Sequence, residues 1–137
     1  MKLEMFFNFD GNCREALDFY AKVFKSEAGN VMTYGQAPPE PGYTVPEADK
    51  DKIIYAGLPV GGMVLMLSDV PSGSDFVCGS NVCPTISDSD KAELTRLFDE
   101  LKQGGEVYME LGQTFFSELF GMVEDKFGII WQLSHYE

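Results

Sequence analysis

The sequence is poor in the residues that most often carry chemistry. It has one histidine, His135, and three cysteines, Cys13, Cys78 and Cys83, with no Cys-x-x-Cys pair. A lone imidazole leaves no credible serine-histidine-acid order, and an odd set of cysteines fits a reducing compartment better than a disulfide framework. Basic residues are scarce: 10 Lys and Arg stand against 22 Asp and Glu, for a net charge of -12. Such a field repels phosphate backbones and anionic headgroups, and no basic stripe interleaved with aromatics interrupts it. Neither nucleic acid nor a membrane is an expected partner. No apolar run is long enough to cross a bilayer. Glu4 and Asn8 interrupt the first residues before a signal-peptide core develops, so a cytoplasmic location is expected.

What the chain does have is apolar content and repetition. At 137 residues, with 45% hydrophobic and 13% aromatic residues, it has enough to bury the core of one ordinary domain. A shift of 77 positions lays Leu17, Tyr20 and Phe24 over Leu94, Leu97 and Leu101, each an apolar stripe at helical spacing after a strand-like run and a polar turn. A shift of 66 lays Val64 to Ser68 over Ile130 to Ser134. One supersecondary unit is therefore used twice, over about residues 1–70 and 78–137 of a single domain.

Each unit reads as βαβββ. The first has a strand near 3–9, a helix near 12–25 that Asn12 can cap, a strand near 27–34, and strands near 53–59 and 62–68 joined at Gly61-Gly62. The second has a strand near 80–86, a helix near 89–103 with Asp90 and Glu93 as its capping signal and Gly104-Gly105 as its stop, and strands near 106–111, 117–124 and 129–135. Pro84 is the misfit, because proline belongs at the edge or end of a strand. Residues 36–52 hold Pro38, Pro39, Pro41 and Pro46, and a loop of that length reads either as a lid over a pocket or as an insertion without function. The fold class is α+β. The two units can form one curved mixed sheet with the helices on its outer face and a concave inner face.

The residues then resemble a known family. Phe6-Phe7-Asn8 leading into Asn12 to Tyr20, Met32 to Gly35, Leu65 to Asp69, Phe98-Asp99, Gly104-Gly105, Thr114-Phe115-Phe116, Phe120-Gly121, Asp125 to Gly128 and Trp131 are similar, in order, to the PhnB-like branch of the vicinal oxygen chelate superfamily. That superfamily includes glyoxalase I, extradiol dioxygenases and bleomycin-resistance proteins. Many members of the branch carry a methyltransferase label, yet no glycine-rich nucleotide loop follows a strand here, and family likeness speaks for fold more than for chemistry.

In metal-dependent members of the superfamily, the first and last strands of each unit supply one ligand each. The resemblance and the two shifts place those positions at Met5, Val82, Met66 and Gln132. Thioethers, an alkyl group and an amide are not the donors a divalent metal takes, so no metal and no cofactor are expected. A one-residue slip would bring in Glu4 or Asn81. Without metal, the concavity becomes an apolar pocket lined by Met5, Phe7, Met66, Val82 and Gln132, closed by Phe115, Phe116 and Trp131. The same side chains can equally be plain core. Gln132 needs a partner if buried, and a ligand, Thr114 or a water could serve.

Other candidates are weaker. Cys13 falls in the first turn of a predicted helix, where the dipole would lower its thiol pKa. Glu110 and Glu118 could form an acid-base pair, while Asp69 and Asp125 sit where carboxylates cap turns. The function expected is a small-molecule-binding homodimer. Two rivals stand beside it: a metal-dependent lyase, isomerase or dioxygenase using displaced ligands such as Glu4 and Gln132, and a dimeric module whose apolar face, with Trp131 or Phe116, meets a protein partner.

Overall fold

Parallel strands cannot be joined by a tight turn, so a unit that pairs its first strand with its last needs a long crossover. Both halves of this chain are built that way. The computed structural model describes residues 1–137 and divides into two units, Met1–Phe76 and Val77–Glu137. The first contains β1 (Met5–Phe9), α1 (Cys13–Val23), β2 (Asn30–Thr33), β3 (Ile53–Val60) and β4 (Met63–Asp69). The second contains β5 (Thr85–Asp88), α2 (Lys91–Leu101), β6 (Glu106–Gly112), β7 (Phe120–Glu124) and β8 (Ile130–His135). The expected βαβββ order therefore holds in both units. Hydrogen bonding groups the strands into two four-stranded mixed sheets, ordered β1-β4-β3-β2 and β5-β8-β7-β6, in place of one continuous ladder.

In the first unit, β1 runs parallel to β4 with Phe7 opposite Leu67 and Phe6 opposite Met66, and β4 turns back on β3 through Gly61-Gly62. Strand alternation then assigns the faces. Phe7, Phe9, Leu65, Leu67, Ala56 and Leu58 are buried beneath the Ala16, Leu17, Tyr20 and Val23 stripe of α1, which packs on β3 and β4. The Phe7 and Tyr20 rings meet edge to face at 6.1 Å. Phe6, Asn8 and Met66 point to the other face.

The start of α1 departs from expectation. Asn12 makes no side-chain cap. Its work is done by Asp69 at the end of β4, a buried carboxylate whose Oδ1 accepts from the Gly11 and Cys13 N–H groups (3.0 and 2.9 Å) and whose Oδ2 accepts from Ile53 N–H (3.0 Å). The helix N-terminus and the first residue of β3 thus share one acceptor group.

In the second unit, β5 runs parallel to β8 with Thr85 opposite Gln132. Leu94, Leu97, Phe98 and Leu101 of α2 are buried with Val123, Trp131 and Leu133, and Asp90 caps the helix as expected, accepting from Ala92 and Glu93 N–H (2.9 and 3.2 Å). Pro84 resolves without conflict. The strand starts after it, at Thr85, and its carbonyl accepts from Gln132 N–H at 2.9 Å. The expected strand near 80–86 is therefore displaced to 85–88. Gly105 follows α2 where the backbone passes so close to β7 that a Cβ would lie 2.0 Å from the Glu124 carbonyl oxygen.

Two substitutions test this framework. Asp69→Asn leaves one acceptor oxygen for backbone donors from two elements, and an expected loss of about 3 kcal/mol in urea unfolding follows from the donors left unpaired. Gly105→Ala is expected to lower stability by about 3 kcal/mol through backbone overlap. Gly62→Ala, where a Cβ meets nothing within 4 Å, is the control and should leave the urea midpoint nearly unchanged.

Candidate functional site

The positions that the sequence brings together on one face are separated by the strand register. Met5 and Phe7 share the alternation phase of Phe9, under α1, so neither shares a face with Met66. The neighbour of Met66 on its own face is Phe6. Val82 lies before β5, outside any strand, and is 67% exposed. The partner of Gln132 is Thr85, whose hydroxyl donates to Gln132 Oε1 at 3.2 Å. Trp131 is 4% exposed and turns inward with Leu133, where its indole N–H donates to Asp125 Oδ2 at 2.8 Å. It is a core side chain, and neither of the two cavities described below is lined by it.

The helices and strands show where the register slipped. Cys13–Val23 matches Lys91–Leu101, a shift of 78, and Phe6 and Phe7 match Thr85 and Ile86, a shift of 79, while the shift of 66 for the last strand stands. On the sheet faces turned away from the helices, the first unit places Phe6 beside Met66 and the second places Thr85 beside Gln132. Thr85 and Phe6 were missed by sequence reasoning. Pro84 was the available signal, since proline lacks the N–H a ladder needs and more readily marks the start of a strand than its middle.

Thr114, Phe115 and Phe116 gather in a different place. Thr114 Oγ1 accepts from Ser117 N–H at 3.0 Å, and so Thr114 holds its own turn, not Gln132. Phe115 is fully exposed; its ring stacks edge to face on Phe116 at 5.1 Å, and Phe116 on Phe120 at 5.0 Å. This turn, with His135 and Tyr136, lines a cavity of about 360 Å³ within the second unit. His135 Nε2 lies 3.1 Å from the Ser89 carbonyl oxygen.

A larger cavity, about 520 Å³, lies under the proline-rich loop of the first unit. The loop's two stems are bonded to each other: Tyr34 N–H donates to Lys52 O and Gly35 N–H to Lys50 O, both at 2.9 Å. A Cβ at Gly35 would lie 3.0 Å from Lys50 O, so the approach depends on glycine. Tyr34 is buried and its hydroxyl donates to the Asp69 carbonyl at 2.6 Å. At the other end, buried Asp49 accepts from the Ser72 hydroxyl and from Ser72 N–H (3.0 Å), and pairs with Lys52 at 2.9 Å. The loop is therefore a fastened roof. Only the Asp49 to Lys52 spacing was visible in the sequence; Ser72 was not.

The titrating groups argue against several chemical roles. Burial, reinforced by the Asp69 carboxylate, pushes the Cys13 thiol up to about 12, against the lowering expected from the helix dipole. Cys13 is thus no ready nucleophile. Lys91 pairs with Glu118 and holds its carboxyl below the ordinary range, which does not suit a general acid. Glu4 is paired with Lys2. No group of three or more His, Cys, Asp or Glu side chains is arranged to hold a metal ion.

The roof has a pH signature. The Ser72 hydroxyl, Lys52 and Ser72 N–H lower the Asp49 carboxyl from 3.8 to about 2, so its stabilisation is complete above 3.8 and is lost as pH falls toward 2. Asp49→Asn is expected to be less stable at neutral pH and to lose less stability across that interval, as read by urea unfolding at stepped pH.

Comparison with known proteins accords with this architecture. Residues 1–134 match the family described as 3-demethylubiquinone-9 3-methyltransferase. Protein YjdN of Escherichia coli K12 is 29% identical over 145 aligned positions, covering 98% of this chain and 95% of that protein. The crystal structure of PA1353 from Pseudomonas aeruginosa is 32% identical, with a TM-score of 0.86 and coverage of 98% and 97% of the two chains. The Bacillus cereus PhnB protein, a putative 3-demethylubiquinone-9 3-methyltransferase, is 28% identical, with a TM-score of 0.80 and coverage of 99% and 100%. No helix is long and apolar enough to cross a membrane. From end to end of the matched region, the chain belongs to this PhnB-like family.

Proposed function

We propose that the protein is a cytoplasmic homodimer that binds a small, partly apolar molecule without a divalent metal. One observation carries the reading. On the sheet faces turned away from the helices, the first unit pairs Phe6 with Met66 and the second pairs Thr85 with Gln132, where the resemblance to metal-dependent proteins would call for metal-ligating side chains. In the first unit an aromatic ring and a thioether favour an apolar body, and in the second a hydroxyl and an amide supply directional hydrogen bonds; neither pair is a donor set for a divalent metal. Gln132 is half-buried and Thr85 takes its oxygen, which leaves the amide nitrogen to donate to a ligand carbonyl or similar acceptor.

The methyl transfer in the family's description requires a methyl donor. The turns after β1 and β5, Asp10-Gly11-Asn12 and Ser89-Asp90, are not glycine-rich phosphate cradles, which supports binding over group transfer from a nucleotide donor. The exposed Phe115, Phe116, Tyr108 and Met109 supply apolar surface suited to a second copy of the chain.

Metal and ligand measurements decide between this reading and the enzyme. After incubation with zinc, nickel, iron or manganese and desalting, the purified protein should retain far less than one metal per chain, and a chelator should leave its melting temperature unchanged. A small-molecule thermal-shift screen should yield stabilising compounds whose effect drops on Gln132→Leu. About one equivalent of tightly held metal, with chelator sensitivity, would overturn the metal-free reading. A monomer in sedimentation at micromolar concentration would remove the dimer from it.

A further inference from the structure

We propose that the cavity beneath the proline-rich loop is a second binding site, and that it takes an organic cation with a flat apolar body. The site lies wholly in the first unit and does not depend on Gln132 or on the open sheet faces. Its volume, about 520 Å³, falls within the range of small-molecule sites. Pro38, Pro39, Ile54 and Tyr43 are among the residues that line it, and their ring faces and C–H edges suit a planar partner.

Charge selects the sign of the ligand. Two lining residues are charged, Glu40 and Lys50. Lys50 is already engaged, its ammonium 2.6 Å from the Glu47 carboxylate, whereas Glu40 forms no ion pair. The carboxylate left uncompensated at the cavity is therefore that of Glu40, beside a tyrosine whose ring face attracts cations. The chain's net charge of -12 adds to the same preference and opposes an anion. Both loop stems are fastened, by the Tyr34 and Gly35 bonds at one end and the Asp49, Lys52 and Ser72 cluster at the other. Binding therefore need not order the stems.

The experiment uses the full chain and three matched probes at neutral pH: benzylamine, which is protonated, benzyl alcohol, and benzoate. Amide shifts in NMR titrations report both affinity and place. Benzylamine should bind about tenfold tighter than benzyl alcohol, with benzoate weakest, and the shifts should map to residues 34–50. Glu40→Gln should bring benzylamine to the level of benzyl alcohol while leaving benzyl alcohol unchanged. Tyr43→Leu should weaken both. Both side chains are exposed, so the variants keep the fold, and their melting temperatures verify it. Benzoate binding as well as benzylamine, an unaltered preference in Glu40→Gln, or shifts confined to the second unit would each overturn the proposal. Gln132→Leu should leave benzylamine binding intact, so this site and the open-face site can fail separately.

Discussion

The first unit depends on where one carboxylate sits. Asp69 ends β4, and its two oxygens accept backbone N–H groups from the turn before α1, from the first residue of α1 and from the first residue of β3. Its own carbonyl accepts the hydroxyls of Tyr34 and Ser68. A carboxylate taken out of water is costly unless its lone pairs are filled, and here protein donors fill them. Helix start, strand start and the first turn of the long loop are consequently positioned against a single residue, and the roofed cavity inherits that geometry through Tyr34.

The second unit repeats the strand plan and not its fastening. At the ladder position of Asp69 stands His135, whose ring meets the Ser89 carbonyl. The helix is capped locally by Asp90. The buried carboxylate is found elsewhere: Asp125 gathers the Phe127 and Ile129 N–H groups and the Trp131 indole N–H around the β7 to β8 turn. Two copies of one topology thus keep their chain path with different polar residues. Fold and chemistry can diverge in such a design because the strand pairing does not rest on the residues that vary.

Much of this was legible in the sequence. The α1 and α2 stripes, the Gly61-Gly62 hairpin, the Gly104-Gly105 stop and the turn roles of Asp69 and Asp125 follow from local pattern. What sequence could not supply was the pairing of strands far apart in the chain. A helical stripe tolerates several alignments because residues three and four apart are both neighbours, so Leu17 could be laid on Leu94 where the structure matches Ala16 to it. In strands the tolerance vanishes, since a one-residue difference reverses the face. That is why Met5 was grouped with Met66 when its ladder neighbour Phe6 was the residue on that face. Ser72 closing on Asp49 is likewise a tertiary contact with no local signal.

The environment of Trp131 has a consequence for anyone following this protein in solution. The chain has one tryptophan, and that indole is buried in the second unit with its N–H held by Asp125. Intrinsic emission excited at the red edge, where tyrosine absorbs little, therefore reports the second half of the chain alone. The first half, with Tyr20, Tyr34, Tyr43 and Tyr55 but no indole, can open or refold in spectroscopic silence. A transition that looks complete by tryptophan fluorescence describes half of the molecule, and a probe placed in the first half is needed before the two units can be said to unfold together.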